Sequence, residues 1–142
     1  MRITELNEYS DKTLDALNVL LPQLSTSAKK ISEMELRDII DNPAVHLLMA
    51  HENDNCFGTL TLVVFPIITG TRAWIEDVVV SKSARGKGVG RLLTEKAVTL
   101  AMEHGAKTVD LTSRPSREVA NKLYKSAGFQ LRESNVYRYS GD

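Results

Sequence analysis

Residues 75–93 read IEDVVVSKSARGKGVGRLL, and this stretch decides the fold class. Its first part, 75–80, is apolar and rich in valine, which predicts a β-strand. From Val89 onward, apolar residues recur at helical spacing until His104 and Gly105, which predict the end of a helix. A short loop joins the two elements and carries glycine at three alternate positions, Gly86, Gly88 and Gly90.

The loop combines glycine with positive charge. Glycine permits positive φ and lets backbone N–H groups approach a bound group closely. The first turn of the helix adds N–H donors without partners and the positive end of its dipole. Residues 81–91 contain no acid and four basic residues, Lys82, Arg85, Lys87 and Arg91. The stretch therefore predicts a site for a phosphate or pyrophosphate, the alternative being a tight connection without a ligand.

Two common nucleotide-binding signatures are missing from this loop. A P-loop requires Gly, four residues and then Gly-Lys-Ser/Thr, and no such string occurs. A dinucleotide fingerprint that starts at Gly86 would require glycine where Arg91 stands. A nucleotide-binding domain is therefore the weakest of the functions considered below.

Strands and helices surround this central stretch. Three segments rich in β-branched and aromatic residues, VHLLMA, CFGTLTLVVFPII and TRAWIEDVVVS, predict successive antiparallel strands. An opening strand precedes two helices, whose starts are marked by Ser10 and by a capping box of Ser32 and Glu35. Downstream, KTVDLT predicts a strand, SREVANKLYKSA a helix, and FQLR and NVYRY two short final strands. The alternation in the second half predicts parallel pairing there, within a mixed sheet.

Composition limits the classes of function. The 142 residues suit one domain, 1–142, and 18 basic residues balance 18 acidic ones. Because phosphate surfaces require excess Lys and Arg, we expect neither nucleic-acid nor membrane binding. The single cysteine, and a start without a basic and then apolar leader, favour a cytoplasmic protein. The three histidines lack the spacing of ligands, so no metal is predicted.

A family resemblance rests on two motifs. The string Arg85-Gly86-Lys87-Gly88-Val89-Gly90 fits the pattern Arg/Gln-x-x-Gly-x-Gly/Ala, and NKLYKSAGF follows at 121–129. Both are similar to motifs of the GNAT superfamily of N-acetyltransferases, in order and spacing. The resemblance implies an α/β (α+β) fold with a mixed, mostly antiparallel twisted sheet of six or seven strands and about four helices. It also implies central parallel strands, 74–81 and 107–112, that splay apart.

The resemblance further implies an acetyl-CoA-dependent enzyme. The acetyl group would pass by direct attack to a primary amine of a small molecule or a peptide, whose identity the sequence does not encode. The strand at 78–80 would bind the pantetheine arm and the loop would bind the pyrophosphate. Asn121 and Lys125 would contact the cofactor from the last helix, or be solvated helix residues. The implied cofactor-binding residues are Val78, Val79, Val80, Arg85, Gly86, Lys87, Gly88, Val89, Gly90, Arg91, Asn121, Tyr124 and Lys125.

Three residues are candidates for catalysis. Tyr124 matches the tyrosine that protonates the departing thiolate in the family, although it could be a packed aromatic residue. Glu76 is the first candidate for the base and Asp77 the second. An ionised carboxylate inside an apolar strand costs free energy unless it has partners, so two acids in this strand indicate a role. Strand alternation predicts that these two face opposite sides of the sheet. As an alternative to catalysis, both could have only a structural role. Arg117 departs from the family pattern, which often has asparagine there.

Two further expectations remain open. A catalytically idle acyl-CoA-binding regulatory module with the same fold is the alternative function. The protein could also form a homodimer through its C-terminal strands, where Tyr137 and Tyr139 alternate.

Overall fold

A computed structural model describes residues 1–141, and it contains four α-helices and five strands. The predicted caps are confirmed: Ser10 caps α1, and Ser32 and Glu35 form the capping box of α2. A short 3-10 turn, Lys82–Ala84, precedes the long third helix. The elements in chain order are β1 Arg2–Glu5, α1 Asp11–Leu24, α2 Glu33–Asp41, β2 Val45–Glu52, β3 Asn55–Ile67, β4 Gly70–Val80, α3 Val89–Glu103, β5 Val109–Asp110 and α4 Glu118–Ser126.

The five strands form one sheet in the order β1-β2-β3-β4-β5. The first four pair antiparallel and β5 pairs parallel to β4, which confirms the mixed, mostly antiparallel fold. Because side chains alternate along a strand, β2 serves two cores. Leu48 packs in the core that contains α3, whereas Met49 packs in the core that contains α1 and α2. No helix within residues 1–141 is long and apolar enough to cross a membrane.

The strand count differs from the expectation of six or seven. The predicted strands FQLR and NVYRY are not formed, and of the expected strand 107–112 only Val109–Asp110 pairs. The parallel pair therefore lies at one edge of the sheet instead of its centre. A segment with high β-propensity has side chains that fit a sheet, but it forms a strand only where a neighbouring strand pairs with it. Residues 130–141 lie exposed and without such an edge.

A bulge interrupts the regular alternation of β4. Glu76 pairs with Thr61 and Val79 with Thr59, so β4 holds one more residue than β3 between these pairs. Asp77 lies in this bulge with a left-handed φ of 51°. A bulge with a left-handed residue interrupts the period of two on which the prediction of opposite faces rests, and that placement stays a prediction. Both acids line the same cavity.

The two parallel strands separate soon after they pair. Only Ala73 with Val109 and Trp74 with Asp110 are in register, while β4 continues to Val80. The gap between splayed parallel strands that the resemblance implied is therefore present. It lies beside the bulge of β4, and the end of β4 continues into the loop that leads to α3.

Candidate active site

The gap contains a cavity of about 160 Å³. Four parts of the chain meet there: β4 at its bulge, the segment after β5, helix α4, and the last residue of α1. The lining residues are Leu24, Ile75, Glu76, Asp77, Val78, Leu111, Thr112, Arg117 and Tyr124. The cavity thus brings together the three catalytic candidates, which lie up to 48 positions apart in the sequence.

The two acids differ in their surroundings. The Trp74 indole Nε1–H donates a hydrogen bond of 2.7 Å to Glu76 Oε1, which orients that carboxylate on the exposed face of β4. Asp77 has no such donor among residues 1–141. Partial burial, and then the neighbouring charge of Glu76, raise the pKa of the Asp77 carboxyl above its ordinary value. Glu76 is therefore an oriented carboxylate, whereas the surroundings of Asp77 disfavour its charged form.

Tyr124 is half-buried on α4 beside this pair. Its ring meets Phe129 edge to face, with centroids 5.9 Å apart. Burial raises the pKa of the Tyr124 phenol above its ordinary value, and the charge of Arg117 opposes that shift. The phenol therefore carries its proton at neutral pH. No hydrogen bond of its hydroxyl to another group is found in the part of the chain that the structure describes.

The glycine loop has the features of an anion site. Gly86 and Gly88 have φ of 81° and 79°, and a Cβ at either position would meet no atom within 4 Å. Glycine is therefore required by the backbone conformation, and the space above the loop is open. Within residues 1–141, no protein acceptor takes a hydrogen bond from the N–H groups of 86–91. These donors surround the N-terminus of α3, whose dipole adds partial positive charge.

The basic residues of the loop fall into two groups. Arg91 is occupied within the protein: its guanidinium bonds Glu95 at 2.7 Å and Ser126 Oγ at 2.7 Å, and thereby ties α3 to α4. Lys82, Arg85 and Lys87 are exposed, and none of them forms an ion pair in the described chain. Their charges are available to an anion on the loop, whereas that of Arg91 is shared with Glu95.

Other predicted cofactor contacts are placed differently. Asn121 Nδ2 donates to the carbonyls of Arg114 and Arg117, so this amide closes the turn before α4. Lys125 is exposed on α4 without such a bond.

The backbone groups of the three valines at the end of β4 point in two directions. The Ser81 N–H donates to Phe57 on the β3 side, so strand alternation directs the backbone groups of Val79 toward β3 and those of Val78 and Val80 toward the gap. The Val79 side chain is buried in the sheet core.

Sequence reasoning missed several residues of this site. Leu24 enters the cavity from α1, and its neighbour Gln23 accepts a hydrogen bond of 2.8 Å from the Lys82 N–H at the start of the loop. No local pattern signals a contact across 59 positions. Trp74 could have been found, because residues two apart on a strand share a face and an indole N–H can reach a carboxylate.

Comparison with known proteins agrees with this geometry. Residues 14–129 match the Acetyltransferase (GNAT) family. The chain is 31% identical over 91 residues to the N-alpha-acetyltransferase MAK3 of Arabidopsis thaliana, which covers 64% of this chain and 47% of that protein. It is 29% identical over 128 residues to the thialysine N-epsilon-acetyltransferase of Mus musculus, which covers 80% of this chain and 75% of the mouse protein.

A solved structure shows the same fold. The aminoglycoside acetyltransferase meta-AAC0020 from an uncultured soil metagenomic sample, in complex with sisomicin, superimposes with a TM-score of 0.87. The superposition covers 99% of this chain and 95% of that one, at 18% identity. The family match extends over most of the chain and includes the cavity and the glycine loop, and we conclude that this protein is a member of the GNAT acetyltransferase family.

Proposed function

We propose that the protein is an acetyl-CoA-dependent N-acetyltransferase that acts on a primary amine of a small molecule or a peptide. One observation carries the proposal: the gap between β4 and β5 holds an oriented carboxylate and a protonated phenol, and β4 continues into a glycine loop whose N–H groups have no acceptor in the described chain. These are the groups that amine acylation by a thioester requires, namely a base, an acid and an anion site.

The residues present fit acetyl-CoA. The N–H groups of 86–91 and the charges of Arg85 and Lys87 would hold its pyrophosphate, since the loop is open and no Cβ fills it. The gap-facing backbone groups of Val78 and Val80 would bond the amide groups of the pantetheine arm. When bound, acetyl-CoA supplies an activated acetyl group as a thioester.

Two cavity residues then transfer protons, one from the amine and one to the departing thiolate. A primary amine is mostly protonated at neutral pH, so Glu76, held by Trp74, accepts a proton and leaves a nucleophilic lone pair. The amine nitrogen forms a bond to the acetyl carbon and loses its second proton to water, and the bond from that carbon to sulfur breaks. Tyr124 gives its phenolic proton to the departing thiolate, for which a phenol that stays protonated at neutral pH is suited.

The acceptor is a cation, and the cavity is acidic on the β4 side. Glu76 and Asp77 would attract an ammonium group, while Arg117 stands on the α4 side of the same cavity. An acceptor with both an amine and a carboxylate would satisfy both sides. Such acceptors are consistent with the relatives, which include a thialysine N-epsilon-acetyltransferase and an N-alpha-acetyltransferase.

The test combines binding with turnover. Acetyl-CoA should raise the melting temperature of the protein, and CoA release should follow addition of an amine from a panel of amino acids, polyamines, aminoglycosides and N-terminal peptides. ATP and NAD serve as controls and should not raise the melting temperature. Stabilisation by acetyl-CoA without transfer to any amine would favour the idle acyl-CoA-binding module, and no stabilisation would refute both functions.

We also propose that the protein forms a homodimer through its C-terminal segment. Tyr137 and Tyr139 are 89% and 99% exposed, and Leu131 and Val136 are exposed as well. Such exposed apolar residues on one segment are typical of a surface that a partner covers. Sedimentation should show a dimer that Tyr137→Asp with Tyr139→Asp dissociates; a monomeric wild-type protein would refute the proposal.

A further inference from the structure

The last turn of α1 touches both halves of the candidate site. Gln23 is half-buried, and its Oε1 accepts a hydrogen bond of 2.8 Å from the backbone N–H of Lys82. Lys82 is the first residue of the 3-10 turn that leads into the glycine loop. A first N–H of such a turn has no acceptor inside the turn, so the Gln23 side chain supplies the missing partner.

The residue after Gln23 belongs to the cavity. Leu24 lines the space that also holds Asp77 and Tyr124. Consecutive residues of a helix are about 100° apart around its axis and only about 1.5 Å apart along it. One side chain can therefore contact the loop while its neighbour contacts the acceptor cavity, and a shift of one moves the other.

Hydrogen bonds to the segment before α2 also hold the second half of α1. Asn18 holds residue 31 at both backbone groups: its Nδ2 donates to the Ile31 carbonyl at 3.1 Å, and its Oδ1 accepts from the Ile31 N–H at 2.9 Å. Ser25 then ends the helix with an extended backbone, its N–H bonded to the Leu21 carbonyl. The turn that carries Gln23 and Leu24 is thus held at both sides.

We propose that Gln23 is a positioning residue that couples the anion loop to the acceptor cavity. Its hydrogen bond holds the start of the loop in the conformation that presents the N–H groups of 86–91. Through Leu24 the same turn forms a wall of the cavity, so an anion on the loop and an amine in the cavity strengthen one another's binding. The inference rests on the proposed function, because it requires CoA to bind the loop.

The experiment follows the Leu24 methyl groups by NMR while CoA is titrated. Wild-type protein should show a Leu24 shift that saturates with CoA binding. Gln23→Met keeps the length of the side chain and removes the acceptor. This variant should bind CoA about three- to tenfold more weakly, the ratio that one hydrogen bond produces, and should lose most of the Leu24 shift at saturation.

Two further variants separate positioning from folding. Gln23→Glu keeps an acceptor at the same length, so its Leu24 shift at saturating CoA should equal that of the wild type even where the added charge weakens binding. Gln130→Met changes the other glutamine of the chain, which is exposed near the C-terminus, and should match the wild type throughout. The melting temperature of each variant reports whether it folds.

The outcomes are distinct for the two proposals. Wild-type protein that does not bind CoA refutes the proposed function and this inference together. Wild-type protein that binds CoA, with a Gln23→Met variant that retains both the affinity and the Leu24 shift, refutes only the coupling. The coupling also fails if Gln23→Glu loses the Leu24 shift at saturation as completely as Gln23→Met.

Discussion

Tyr124→Phe tests the assignment of the acid by removing one oxygen atom. The Tyr124 ring packs edge to face on Phe129, and phenylalanine retains that contact. The hydroxyl bonds no other group of the described chain, so its loss leaves no protein donor or acceptor unpaired. We therefore expect a melting temperature within about 2 °C of the wild type, since about 1 kcal/mol shifts a domain near this size by roughly 2–4 °C.

The effect on turnover should be much larger than the effect on stability. Proton transfer by a positioned acid contributes about 10²- to 10⁴-fold, which corresponds to about 2.7–5.5 kcal/mol in the activation barrier. Because the variant loses an interaction made at the departing sulfur, kcat should fall by at least about 100-fold. The affinity for CoA should change less than about twofold, since no N–H group of the loop is altered.

The assay measures CoA release under saturating acetyl-CoA and amine at pH 7–9. Burial raises the pKa of Tyr124, so the wild-type phenol remains protonated across this range and the ratio of the two rates should stay constant. Tyr139→Phe, on an exposed tyrosine outside the cavity, is the matched control and should leave kcat unchanged. A Tyr124→Phe kcat within threefold of the wild type would show that another group or water protonates the thiolate.

Three other substitutions test the remaining assignments. Glu76→Gln keeps an acceptor for the indole of Trp74 but removes the base, so kcat/KM for the amine should fall by about 100-fold; an unchanged value would exclude Glu76 as the base. Asp77→Asn should stabilise the protein more at pH 7 than at pH 3. Because the pKa of Asp77 is raised in the folded state, the wild-type protein loses stability as the pH rises through that pKa. Asparagine removes this loss and tolerates the left-handed φ at this position. Equal differences in melting temperature at the two pH values would contradict this reasoning. Lys87→Glu should weaken CoA binding by about tenfold, less at high salt, whereas Lys96→Glu on the exposed face of α3 should not; equal effects would mean that Lys87 does not face the anion.

Local signals were sufficient for most elements of the fold. The capping box of Ser32 and Glu35 and the apolar stripe of α3 depend on contacts within one or two turns, and both are formed as predicted. The glycine loop is equally local, because the left-handed φ of Gly86 and Gly88 is a property of each residue. The two predicted C-terminal strands are not formed, because a strand is stabilised by the strand beside it. Residues 130–141 pair with no strand of the described chain.

The sequence by itself determined the family motif, the order of the elements and the types of residue that could catalyse. Only the tertiary structure decided which of them meet. The bulge at Asp77 interrupts the period of two along β4, and Glu76 and Asp77 line one cavity with Tyr124 of α4. Arg91 binds Ser126 of α4, and Gln23 holds the loop from 59 positions away. These outcomes depend on which elements pack together, and no spacing within a single element encodes that.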